Sequence, residues 1–142
     1  MNNNSNLNPQ WVAGFIDGEG CFHVSIIPNN TMRTGYEVRL EFSISQHVRD
    51  AALMSLFLLF FNCGYLASDG PSKVQFRIRS LKQIEDNLLP FLANNPLLTR
   101  KSLDVADFIK VFNLMKAKTH LTMDGIRIIR DIQSNMNSRR AK

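Results

Sequence analysis

The spacing of hydrophobic residues changes along the chain, and each change marks an element. WVAGFIDGEG (11–20) is an apolar run at helical spacing. Asn8 is placed to cap it, Pro9 suits its first turn, and Gly20 is the residue type that most often stops a helix. From Gly20 the period falls to two. In CFHVSII, Phe22, Val24 and Ile26 alternate with Cys21, His23 and Ser25. In YEVRLEFSIS, Tyr36, Val38, Leu40, Phe42 and Ile44 alternate with Glu37, Arg39, Glu41, Ser43 and Ser45. These are half-buried strands joined by the turn-rich PNNTMRTG. AALMSLFLLFF (51–61) lies in a helix over roughly 49–61, too short to span a bilayer. The pattern then recurs. A short strand at 65–67 precedes KVQFRIRS (73–80), with Val74, Phe76 and Ile78 inward and Lys73, Gln75, Arg77 and Arg79 outward. Ser80 and Gln83 have the form of a capping box for a helix that weakens at Pro90. Thr99 is read as the cap of a helix to about Lys116, with Val105, Ile109, Phe112 and Met115 on its buried face. Thr122 is read as the cap of a last helix carrying Ile126, Ile129 and Ile132.

The order α-β-β-α-β-β-α followed by C-terminal helices predicts an α+β fold around an antiparallel sheet. One domain is expected over 9–136, between a disordered tail (1–8) and a basic tail (137–142). At 142 residues and 44% hydrophobic, the chain has enough material for one real core. Seventeen Lys and Arg against twelve Asp and Glu give a net charge of +5, which points toward an acidic polymer. Cys21 and Cys63 make no metal-type or redox-type spacing, and favour a reducing intracellular compartment over secretion. No secretory signal or membrane span is legible.

Two features carry candidate chemistry. The outward residues of three strands, His23, Ser25, Arg39, Glu41, Ser43, Lys73, Gln75, Arg77 and Arg79, combine long donors with small hydroxyls. Arg and Lys suit phosphates and guanine edges, Gln suits adenine, and Glu accepts from cytosine. A solvated sheet face would look similar, but a Lys-x-Gln-x-Arg-x-Arg row repels itself until a polyanion arrives. The second feature is the first helix. Gly14 and Gly18 stand one turn apart, where missing side chains let another backbone approach. Glu19 sits at the helix C-terminus, where the macrodipole disfavours an anion. That placement asks for a cation.

Val12–Gly20 resembles, position by position, the signature helix of the LAGLIDADG homing endonucleases, with Glu19 in place of the usual second Asp and Gly18 in place of the preceding Ala. PLLTRKSLDVADF (96–108) and HLTMDGIRII (120–129) are similar to that family's C-terminal segments. With one motif, the chain is similar to the family's homodimeric form. The resemblance implies a four-stranded saddle sheet in a DNA major groove and a long, pseudo-palindromic double-stranded target. It implies a dimer seam of Val12, Gly14, Phe15 and Gly18. It also implies Mg²⁺ held by Glu19 and Gly18, with Gln46 ordering water and Lys101, or Arg100 in the competing alignment, near the scissile phosphate. Asp17 is taken as structural. An organellar, intron-borne origin in a mitochondrion or chloroplast is typical of the family. Two other functions use the same scaffold: an intron maturase binding RNA, and a non-catalytic DNA-binding regulator.

Overall fold

The Asn8 side chain accepts from the Gln10 backbone N–H at 2.8 Å, and a helix follows at once. In the computed structural model, which describes residues 5–137, α1 runs Pro9–Glu19, β1 Gly20–Pro28, β2 Tyr36–His47 and α2 Ala51–Phe61. Next come β3 Tyr65–Ser68, β4 Lys73–Ile78, α3 Leu81–Gln83, α4 Leu89–Asn94, α5 Lys101–Lys116 and α6 Met123–Gln133. The four strands form one sheet in the order β1-β2-β4-β3, and β4 is antiparallel to both β2 and β3. The α+β class and the strand and helix order agree with the sequence reading. Residues 138–142, most of the expected basic tail, and 1–4 lie outside the described residues. Ser5, in the tail expected to be disordered, is buried at 8% exposure.

Two compact units divide the chain: Met1–Cys21 with Glu41–Thr99, and Phe22–Leu40 with Arg100–Lys142. The first is built on phenylalanine. Phe61 stacks on Phe76 at 5.7 Å, Phe57 tilts over Phe76 at 6.0 Å, and Phe60 meets Phe91 edge-on at 5.3 Å. Val12, Ile16, Met54 and Ile84 are wholly buried within this unit. Offset and edge contacts of this kind add about 0.5–1.5 kcal/mol per pair beyond the buried area.

In the second unit Phe22 meets Phe108 at 5.4 Å, and Val111, Ile126 and Ile129 are buried. The Gln133 amide donates to the Val24 carbonyl at 2.7 Å and the Asn137 amide to that of Phe22 at 3.0 Å, tying the end of α6 and the residues after it to β1. Among the described residues Cys21 and Cys63 form no disulfide; each is half-buried, and burial pushes the Cys63 thiol up from its ordinary value. Among the described residues no helix is long and apolar enough to cross a membrane.

Local expectations hold in some places and are corrected in others. Gly20 ends α1 in an extended conformation (φ −79°, ψ 158°) and leads straight into β1. Glycine is needed there for space: a Cβ would sit 2.8 Å from both the Cγ2 and the carbonyl oxygen of Ile16. Gly20→Ala should therefore cost about 2 kcal/mol of stability, as overpacking does. Chemical denaturation reads this directly, and a wild-type midpoint would mean the surroundings yield.

The capping box is half made. Ser80 accepts from the Gln83 N–H, but the Gln83 side chain accepts from the Gly64 N–H at 3.3 Å instead of reaching back. Between α3 and α4 the backbone widens into a π-turn, Ile84–Leu88. Pro90 is the second residue of α4; it has no N–H to donate, and its ring crowds the preceding turn of a regular helix. α5 begins at Lys101 with Arg100 at its cap position, while the Thr99 hydroxyl donates to Asp17. Its buried face is Asp104, Phe108, Val111, Phe112 and Met115, so Val105 and Ile109 are only half-buried. Apolar residues surround this helix, and their spacing alone leaves its rotation open.

Candidate metal and nucleic-acid interface

The first unit contains the glycine helix. Gly14 and Gly18 are exposed, and a Cβ built on either meets nothing within 4 Å. Among the described residues no packing requires glycine at these positions. Beside them Phe15 is half-buried, and Trp11, 45% exposed, stacks on it at 5.1 Å. Val12 departs from the expected seam. At 0% exposure it is buried inside the chain and is unavailable to a second one. It stands on the face of α1 shared with Ile16, four residues on, while Gly14 and Gly18 mark the open one.

Glu19 is the last residue of α1 and is exposed. The final turn carries no basic residue to offset its charge. Gly18, just before it, brings a carbonyl from the helix end, where the last four lack intrahelical donors. Carboxylate and carbonyl oxygens together fit a hard divalent cation. Among the described residues, no three His, Cys, Asp or Glu side chains cluster as a metal site.

Asp17 has a different task. Its carboxylate accepts from the backbone N–H of Leu98 at 2.7 Å and of Thr99 at 3.1 Å, as well as from the Thr99 hydroxyl. It ties the end of α1 to the turn just before α5, which agrees with the structural role expected for it. Gln46 pairs with Val74 at the end of β2 and is half-buried. By alternation it shares the face of Phe42 and Ile44 rather than that of Ser43 and Ser45.

In the second unit Lys101 opens α5, half-buried, and Arg100 at the cap position is exposed. A cation at a helix N-terminus is as poorly placed as an anion at a C-terminus. Glu19 and the Arg100–Lys101 pair thus both carry the charge that their helix end disfavours.

On the first unit's strands Lys73 is exposed and Gln75, Arg77 and Glu41 are half-buried; Arg79, just past the end of β4, is exposed. The Arg79 Nε–H donates to Glu41 at 2.6 Å, and the Arg77 Nε lies 3.7 Å from the same oxygen. The Glu41 hydrogen bond pushes the Arg79 guanidinium further above its ordinary value. Ser43 is corrected: at 4% exposure it is no surface contact. It sits opposite Arg77 on a central strand, and its short side chain lies below its longer neighbours. On the second unit's strands His23 and Arg39 are exposed and Ser25 is half-buried. Arg39 pairs with Glu37, which also accepts from Asn29 at 2.9 Å. Those bonds, the Arg39 one foremost, hold the Glu37 carboxyl below its ordinary value.

Residues 12–112 match the family model for the LAGLIDADG endonuclease. The chain belongs to the LAGLIDADG endonuclease family. A Neurospora crassa relative named "Probable intron-encoded endonuclease 3" is 35% identical over 124 residues, which are 87% of this chain and 23% of that protein. The I-LtrWI LAGLIDADG homing endonuclease, solved bound to target DNA, is 38% identical with a TM-score of 0.94, across 99% of this chain and 48% of that one. The homing endonuclease I-TnaI is also 38% identical, with a TM-score of 0.89, across 93% of this chain and 89% of that one. This LAGLIDADG chain therefore spans about a quarter of the Neurospora relative, about half of I-LtrWI and most of I-TnaI.

Sequence reasoning assigned no role to Asp69. The carboxylate accepts from the Gln75 amide at 3.3 Å and lies 3.5 Å from the Ser45 hydroxyl. The available signal was its distance of six residues from Gln75 across a tight hairpin.

Proposed function

We propose that this chain is a homing endonuclease that hydrolyses phosphodiester bonds in double-stranded DNA as a homodimer, with a divalent ion shared at the seam. One observation carries the reading: a helix face of exposed glycines, empty above both, runs down to an exposed carboxylate at the helix C-terminus. Two such helices, packed face to face about a two-fold axis, would bring Glu19 close to its symmetry mate. Like charges at two negative helix ends repel, and a divalent cation relieves both conditions. All-oxygen ligation favours Mg²⁺ over a softer metal. The chemistry such an ion supplies is stabilisation of charge on the attacking and departing oxygens of the phosphate.

The protein's own contributions are the carboxylate of Glu19, the carbonyl of Gly18, a Gln46 amide to order water, and the cation of Lys101 to offset phosphate charge. The outward strand residues bind the duplex, since phosphate contacts position it and base-edge contacts specify it. The intron-encoded naming of the Neurospora relative supports an organellar intron as the origin.

Incubating the full chain with a randomised duplex library and Mg²⁺, then sequencing cut ends, tests this reading. Recovery of one long, near-palindromic site is expected; an uncut library would overturn it. Arg77→Ala should weaken binding to that site about tenfold or more, in keeping with roughly 1–3 kcal/mol for a good bidentate contact. Equilibrium titration at fixed salt reads this effect, and unchanged affinity would remove β4 from the binding surface.

A further inference from the structure

Along the first unit's strands the side chains form a continuous relay. The Ser45 hydroxyl and the Gln75 amide both direct hydrogens to Asp69 Oδ2, at 3.5 Å and 3.3 Å. The Gln75 carbonyl oxygen accepts from the Arg77 Nε–H at 2.7 Å. Arg77 in turn leans on Glu41, which also holds Arg79.

We propose that Asp69 is a specificity-determining residue, which sets the base preference of the sheet by fixing the orientation of the Gln75 amide. The inference rests on the reading of this sheet as a DNA-binding surface.

A glutamine amide has a donor end and an acceptor end, and a half-turn about its last bond exchanges them. A free Gln75 would present either end to a base edge with little preference. Here an acceptor on one side and a donor on the other allow only one orientation. Asp69 takes one hydrogen of the NH₂ and Arg77 takes one lone pair of the oxygen, leaving one donor and one acceptor for DNA. The same bond uses the Arg77 Nε–H, so the two Nη groups remain for a base edge or phosphate.

Asp69 is itself held in place. Its N–H donates to the Lys73 carbonyl at 2.9 Å, closing the β3–β4 hairpin over Gly70 at φ 76°. The Val48 N–H donates to Ser72 at 2.8 Å and anchors the same tip. A carboxylate in the turn beside a DNA-reading strand opposes phosphates and lowers affinity. Its benefit is selectivity: an amide fixed before binding has less freedom to lose on binding, and cannot turn to suit the wrong base.

The test selects bound sequences from a randomised duplex library without divalent metal, using the full chain and its Asp69→Ala, Gln75→Ala and doubly substituted forms. Asp69→Ala should lower discrimination about tenfold at the one or two positions that Gln75→Ala also relaxes, the scale of one lost bidentate contact. Elsewhere the profile should hold, with total affinity equal or higher. In the Gln75→Ala background, Asp69→Ala should add nothing. A further loss there would mean that Asp69 reads a base directly, and would overturn the proposal. So would an unchanged profile or a uniform fall at every position.

In the free protein, Asp69→Ala should bring the two Gln75 side-chain amide proton resonances closer together. Unmoved resonances would also count against the proposal. If the unsubstituted chain enriches no sequence, the DNA-binding reading fails and Asp69's role fails with it. Enrichment by the unsubstituted chain with an unchanged Asp69→Ala profile refutes Asp69 alone.

Discussion

Glu19→Gln should reduce cleavage by about a thousandfold or more, equivalent to roughly 4 kcal/mol of transition-state stabilisation, while target affinity stays within a few fold. The substitution keeps shape and length and removes only the charge. Glu19 is exposed at the end of α1, so no core contact is lost. Folding should be unchanged or slightly improved, since losing an anion from a helix C-terminus relieves about 0.3–1 kcal/mol of unfavourable dipole interaction. Single-turnover cleavage, equilibrium binding and a thermal melt, measured together, separate the outcomes. A cutting rate near wild type would remove Glu19 from the metal site, and a fall in melting temperature would reassign it to the fold.

Gly18→Leu should leave the chain folded and abolish its assembly. A Cβ at Gly18 or Gly14 meets nothing within 4 Å among the described residues. Within one chain a residue with a better helix propensity is tolerated there, and it gains up to about 1 kcal/mol by restricting the unfolded backbone. A close-packed helix pair has no such room. Overpacking costs about 1–3 kcal/mol at a packed site, and two-fold symmetry applies it twice. Sedimentation velocity should report a dimer for the wild type and a monomer for the variant at the same concentration, with the melting temperature held or raised. A variant that stays dimeric would place the seam elsewhere. Few substitutions are expected to raise stability and remove activity together, which makes this one diagnostic.

α1 was legible because three independent signals coincide in it: the Asn8–Pro9 start, the apolar spacing and the glycine stop. Thr122 was equally legible, and its hydroxyl accepts from the Gly125 N–H at 3.0 Å. The errors have a common cause. Thr99 and Gln83 each had a plausible local partner and took a distant one, Asp17 and Gly64 respectively. Only the fold brings those partners near. Val12 was assigned to the seam because a helical run shows its spacing without showing which side the core claims. Ser43 has the parity of a surface residue, but its depth depends on the length of the side chains around it. Asp69 went unnoticed because a carboxylate in a tight turn already has a local explanation.

Glu41 holds Arg79 and leans on Arg77 before any ligand arrives. A phosphate would therefore meet guanidiniums whose charge an internal carboxylate already offsets in part, and generic attraction to a DNA backbone is blunted. On the proposed reading, in which the chain finds one site on a long polymer, this weakening is useful. Each stop on random sequence is shorter, and the search covers more of the polymer in the same time.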